Sequence, residues 1–185
     1  MTVIDPTPYT HHGVPLSNLF EQLAASAANS LLQTPRGAAG DSGFYHDQPV
    51  EDCCDSMLLW VRQWLPVVKG DFPATANVTD LCRPIQMQPE LVLSLRRPCA
   101  PAMDETGGTD PAEEHAVAKD LMVDAVAVQC AVFSEWPGLI EAAGFATAAR
   151  LQYGAMTTTG ANTNCLGWDW PITLEVNGCL GGCGG

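Results

Sequence analysis

Five apolar residues at every second position constrain this chain more than any other feature: Trp168, Trp170, Ile172, Leu174 and Val176. Asp169, Thr173 and Glu175 stand between them. A period of two belongs to a strand with one buried face, and it extends here over Gly167–Asn177. The chain must therefore build a sheet, and something must cover its apolar side. Pro171 sits inside the run without an amide hydrogen to give to a ladder, so it predicts an edge position or a local irregularity.

The remaining elements follow from their own periods. Leu16, Leu19, Phe20, Leu23, Ala27 and Leu31 form one helical stripe, predicting a helix over Leu16–Gln33 that Pro35 and Gly37 end. Small side chains in Ala24–Ala28 let a neighbour approach that helix closely. Met57–Val68 reads as a strand, with Met57, Leu59, Val61 and Leu65 on one face and Leu58, Trp60, Arg62 and Trp64 on the other. Both faces are largely apolar, so one suits a covering helix and the other a second subunit. Trp60 and Trp64 fit either role, subunit anchors or core. Leu91–Arg97 is the next strand, stopped by Pro98. Asp110 as N-cap, Pro111 at the first helical position and Glu113–Glu114 in the first turn mark the start of a second helix, running to about Val132. Leu121, Ala125, Val128 and Val132 share its apolar side, with Val117 leading in, and Asp120 and Asp124 read as a solvated neighbouring face. Pro137–Gly144 is a turn or short helix, and Ala146–Met156 a strand that forms a hairpin with the last one across a loop at 157–164. Residues 35–55, 69–89 and 98–109 read as loops and a linker.

The expected fold is α+β: a mixed or antiparallel four-stranded sheet covered on one face by two helices, in the order α-β-β-α-β-β. The expected organisation is an extended N-terminal arm over 1–15, a single domain over 16–178 and a flexible Gly/Cys tail over 179–185.

Charge narrows the function. Eight Lys and Arg stand against 21 Asp and Glu, a net charge of −13. The cations are scattered, and only Arg96–Arg97 are adjacent among them, which argues against a dedicated nucleic-acid-binding role. An acidic wall can still line a channel through which DNA slides, because repulsion prevents sticking. No stretch reaches the roughly 18 continuous apolar residues of a membrane span. Met1–Thr10 lacks the basic start of a signal peptide, so the expectation is synthesis in the cytosol. Eight cysteines are many for that compartment: Cys53, Cys54, Cys82, Cys99, Cys130, Cys165, Cys179 and Cys183. No Cys-x-x-Cys pair marks a zinc site. The thiols read as small buried residues, some of which can pair once the protein leaves the cell.

The search for chemistry yields no catalytic set. There is no phosphate loop, no Gly-x-Ser-x-Gly and no His-Glu-x-x-His. His11–His12 reads as part of the arm. His115 reads as a surface residue, and at 15 positions from Cys130 it lies about 22 Å away along one helix, too far to activate it. The expectation is a protein with no catalytic residues, no metal and no cofactor.

Several runs are familiar in succession: Cys53-Cys54-Asp55-Ser56-Met57-Leu58-Leu59-Trp60-Val61-Arg62, then Asp71-Phe72-Pro73, Cys82-Arg83-Pro84, the strand Leu91–Arg97 with Cys99-Ala100-Pro101, Asp110-Pro111 with its helix, and Asn164-Cys165-Leu166-Gly167-Trp168-Asp169-Trp170-Pro171-Ile172-Thr173-Leu174. This succession, over about residues 50–178, resembles the cysteine-bearing neck proteins of siphophages that infect actinobacteria, tail terminator or head-to-tail connector components. The resemblance implies a virion protein of the head–tail junction, a hexameric ring of copies between the major tail tube protein and the connector or stopper, with DNA passing through the lumen. It implies no catalysis and no cofactor. Trp60, Arg62, Trp64, Asp71, Phe72, Thr158 and Asn162 are the candidate interface residues. The other readings weighed are a different minor tail, neck or decoration protein, a secreted disulfide-stabilised binding module, and an enzyme of unrecognised type.

Overall fold

The computed structural model describes residues 7–45, 55–68, 85–98, 111–143, 151–159 and 165–174. In chain order these form α1 (Thr7–Ser30), a short 3-10 turn (Leu31–Gln33), β1 (Asp41–Tyr45), β2 (Ser56–Val68), β3 (Ile85–Pro98), α2 (Pro111–Ser134), α3 (Trp136–Ala142), β4 (Leu151–Tyr153), β5 (Thr157–Thr159) and β6 (Cys165–Leu174). The class is α+β, with a six-stranded sheet in place of the four strands expected.

The sheet runs β1-β2-β3-β6-β4, with β5 also on β6. β1 lies parallel to β2, and the other pairings are antiparallel. The hairpin-like pairing of the last strands is present, because β4 joins β6 with Tyr153 opposite Ile172. The supposed loop at 157–164 contributes a strand as well: β5 sits on the same edge of β6, with Thr157 opposite Asp169. Pro171 falls in the gap between the two short strands, where its missing amide hydrogen costs no ladder bond. Gly154 closes that gap by donating its N–H to the Pro171 carbonyl at 2.8 Å. A Cβ on Gly154 would come within 2.6 Å of Pro171 Cγ, so the close approach requires glycine.

One hydrophobic cluster joins Leu19, Phe20, Leu23, Ala27 and Leu31 of α1 and its 3-10 turn to Val117, Leu121, Val128 and Val132 of α2 and to the inner sheet face. That face carries Met57, Leu59, Leu91, Leu93, Leu95, Trp168, Trp170 and Ile172, the strand periods expected from sequence. Trp136 and Ile140 of α3 are fully buried beside them.

Four further expectations need correction. First, α1 begins at Thr7, so residues 7–15 are helical where an extended arm was expected. Pro8 falls in the first turn, where no amide hydrogen is needed, and Pro15 is carried inside the helix at the loss of one backbone bond. Residues 1–6 and the expected tail at 179–185 lie outside the described residues. Second, the expected loop at 35–55 contains β1, held parallel to β2 with Asp41 opposite Ser56. Third, β3 starts at Ile85, taking the last five positions of the expected loop at 69–89. Fourth, the alternation along β2 breaks. The register steps between Val61 and Gln63, a β-bulge with Arg62 as the extra residue. Beyond it Trp64 pairs with Pro89 and so shares the inner-face parity of Val61, while Leu65 pairs with Gln88 on the outer side. Trp60 and Trp64 therefore lie on opposite faces.

Candidate functional site

The outer sheet face, away from the helices, holds a recess of about 450 Å³ lined by Trp60, Val61, Arg62, Val92, Ala155, Thr157, Asp169 and Pro171. That volume lies in the lower range of ligand pockets. The register explains its floor: Trp60, Val92 and Pro171 stand in one row across three strands, and Leu58, Ser94 and Asp169 in the next.

A chain of polar contacts runs beneath it. The Trp60 indole donates to Ser94 Oγ at 3.0 Å, and Ser94 donates to Asp169 Oδ1 at 2.6 Å. Arg96 Nη2 reaches the same oxygen at 2.9 Å, and Nη1 donates to the Trp168 carbonyl at 3.1 Å. Ser94 is a poor candidate nucleophile. Its hydroxyl is buried and gives its proton to a carboxylate already held by a guanidinium, with no imidazole between them. The arrangement fixes side chains across β2, β3 and β6. At the rim, Arg62 and Gln63 both donate to Glu90, with Arg62 Nη1 at 3.3 Å.

The inner face holds a second ionic cluster. Arg97 is 1% exposed and donates Nε to Asp124 Oδ2 at 2.9 Å, Nη1 to Asp55 Oδ1 at 2.8 Å and Nη2 to the Gly37 carbonyl at 2.6 Å. Asp124 is fully buried, and Asp120 is bound by Arg36 at 3.3 Å. Of the pair expected on a solvated face, Asp124 is thus turned into the core toward Arg97, while Asp120 stays partly exposed beside Arg36. Asp55 adopts φ 70°, a left-handed conformation that aspartate tolerates better than most residues. There it accepts the Gly40 N–H on its side chain and the Asp41 N–H on its carbonyl, which sets where β1 begins.

The expected interface residues divide. Trp60 is buried under the recess and Arg62 is exposed at its rim, so the structure brings these two together. Trp64 is 43% exposed on the opposite side of the sheet, and exposed Thr158 pairs with Trp168 at inner-face parity. Asp71, Phe72 and Asn162 lie outside the described residues. Ser94, Arg96 and Asp169 escaped sequence reasoning, although the alternation along Leu91–Arg97 assigns Ser94 and Arg96 to the face opposite its leucines.

Aromatic contacts close one end of α2. Tyr153 stacks on Trp170 with centroids 5.5 Å apart, and Phe133 meets both rings edge-on. Burial pushes the Tyr153 hydroxyl above its ordinary pKa. Among the described cysteines, Cys130 is a free, exposed thiol and Cys165 is buried in a disulfide. No group of three metal-binding side chains and no helix long and apolar enough to cross a membrane occurs among the described residues. No protein-family model and no curated protein matches the chain.

Proposed function

We propose that the chain is a structural protein of the head–tail junction of a tailed phage, forming a hexameric ring that terminates the tail tube and joins it to the head connector. The observation that carries this reading is where the family-like runs fall. The stretches 56–62, 91–97 and 165–174 belong to β2, β3 and β6, three adjacent strands at the centre of the sheet. Part of the likeness therefore falls on the framework of the domain, while the runs at 71–73, 82–84 and 99–101 lie outside the described residues.

The charge pattern supports the same role. Arg96 and Arg97, the one adjacent pair of cations, are each neutralised by carboxylates of the chain itself. An acidic lumen lets DNA pass without holding it. The role needs no cofactor and no catalytic group. Its partners are further copies of the chain, the major tail tube protein and the connector or stopper. Arg62, Trp64 and Thr158 are exposed and offer side chains to such contacts.

Cryo-electron microscopy of purified virions tests the reading through location and copy number. A single ring between portal vertex and tail tube is the expected result, with its neighbours deciding terminator against connector. Absence from particles, or repetition over the capsid or along the tail, would overturn it.

The disulfide at Cys165 favours a second reading, a secreted disulfide-stabilised binding module. Counting free thiols in freshly made cytosolic protein separates the two. A thiol count well below eight, with Cys130 still free, would favour the secreted module, and eight reduced cysteines the virion protein.

A further inference from the structure

The outward face of α2 is the most apolar exposed surface among the described residues. Met122 is 71%, Val126 59% and Phe133 54% exposed, and exposed Lys119 and Cys130 stand on the same side of the helix. These spacings of three and four follow one helical face. No carboxylate interrupts it. Between Asp120 and Glu135 the one acid is Asp124, which Arg97 holds in the core, and Asp120 itself is engaged by Arg36. In a chain of net charge −13, this is a face on which two copies can approach without opposing acids.

We propose that two copies of the chain pair through α2, antiparallel, about a two-fold axis beside Val126. The face is self-complementary in that arrangement. Val126 meets its own copy, Met122 meets Cys130, and Lys119 of each copy lies over the Phe133 ring of the other. An isologous contact needs such mutual matching, and a Lys over an aromatic face adds a cation–π attraction at each end. The contact spans about 21 Å of helix from Lys119 to Phe133. It stands apart from the ring reading: a two-fold contact closes on itself and builds no ring, so it describes the free protein or a contact beyond the ring's lateral one.

Sedimentation velocity on the full chain, with cross-linking, tests this. A concentration-dependent dimer is expected, and Val126→Glu should raise its dissociation constant at least about tenfold. In a Cys130→Ser background, Val126→Cys should form a disulfide-linked dimer on mild oxidation much faster than Glu141→Cys, a control position exposed on α3. Circular dichroism of each variant reports folding. A chain monomeric at roughly 100 μM overturns the proposal. So does an oligomer that position 126 fails to cross-link faster than position 141. Monomers in solution whose α2 face is covered by a different protein in assembled particles would assign the face to that protein instead.

Discussion

Arg96 and Arg97 are neighbours in sequence and opposites in structure. Alternation along β3 sends Arg96 to the outer face, where it holds Asp169 with about a quarter of its side chain exposed. Arg97 goes to the helix side, where it is 1% exposed and binds Asp124 at 0% exposure. The two ion pairs have the same length, 2.9 Å. Distance therefore does not distinguish them, and burial does. Water can replace much of what Arg96 gives Asp169. Nothing replaces Arg97 for Asp124, whose other carboxylate oxygen already has no hydrogen-bond partner among the described residues.

The largest effect should come from breaking the inner pair. Arg97→Ala leaves a buried carboxylate without its counter-charge and removes the donors to the Gly37 and Ala38 carbonyls. A loss of about 3–5 kcal/mol is expected, read as a lower urea midpoint at unchanged slope. Arg97→Lys should recover only part of it, because one ammonium cannot serve Asp124, Asp55 and two carbonyls together. The double replacement Arg97→Met with Asp124→Leu sharpens the contrast. It removes the stranded charge along with its partner, so it should regain at least about 2 kcal/mol of the loss. If the double variant is no more stable than Arg97→Ala, the damage comes from the loop at Gly37–Asp41 and not from Asp124.

The outer pair should matter less. Arg96→Ala is expected to cost about 1 kcal/mol, since Asp169 keeps the Ser94 hydroxyl and meets solvent. Raising the salt concentration should shrink that cost while leaving the Arg97→Ala cost nearly unchanged. Equal salt sensitivity of the two would contradict the burial difference.

Much of the framework was legible in the sequence. The stripes of α1 and α2 and the alternation in β3 and β6 each present one apolar face, and one solution buries them all. The β2 bulge was not legible, because both sides of Met57–Val68 are apolar and a shift in phase leaves no polar residue misplaced. Nor was β1. Asp41-Ser42-Gly43-Phe44-Tyr45 shows no alternation, and it is held by Asp55 and by the Phe44 ring against Phe20, at 5.1 Å between centroids. Asp124 read as solvated because its partner lies 27 positions away on a strand. Such pairing exists only once α2 is laid over β3. The recess failed for a similar reason: Trp60 could be identified as a special residue, but its neighbours Ser94 and Asp169 come from two other strands.

The smallest effect belongs to Arg62, the extra residue of the bulge. Its side chain is 55% exposed and reaches Glu90 at 3.3 Å, and Gln63 donates to the same carboxylate. Arg62→Ala should change stability by less than about 0.5 kcal/mol, because a surface pair gains little over hydration and Glu90 retains a donor. That near-silence makes it a sensitive probe of the outer face. A bulge aims a side chain outward at the rim of the recess, and its maintenance there serves the fold very little. If copies or tail proteins dock on this face, Arg62→Ala should lower the yield of infectious particles while the urea midpoint of the isolated chain stays unchanged. If both are unaffected, the outer face is not a contact surface, and assembly must use other parts of the chain.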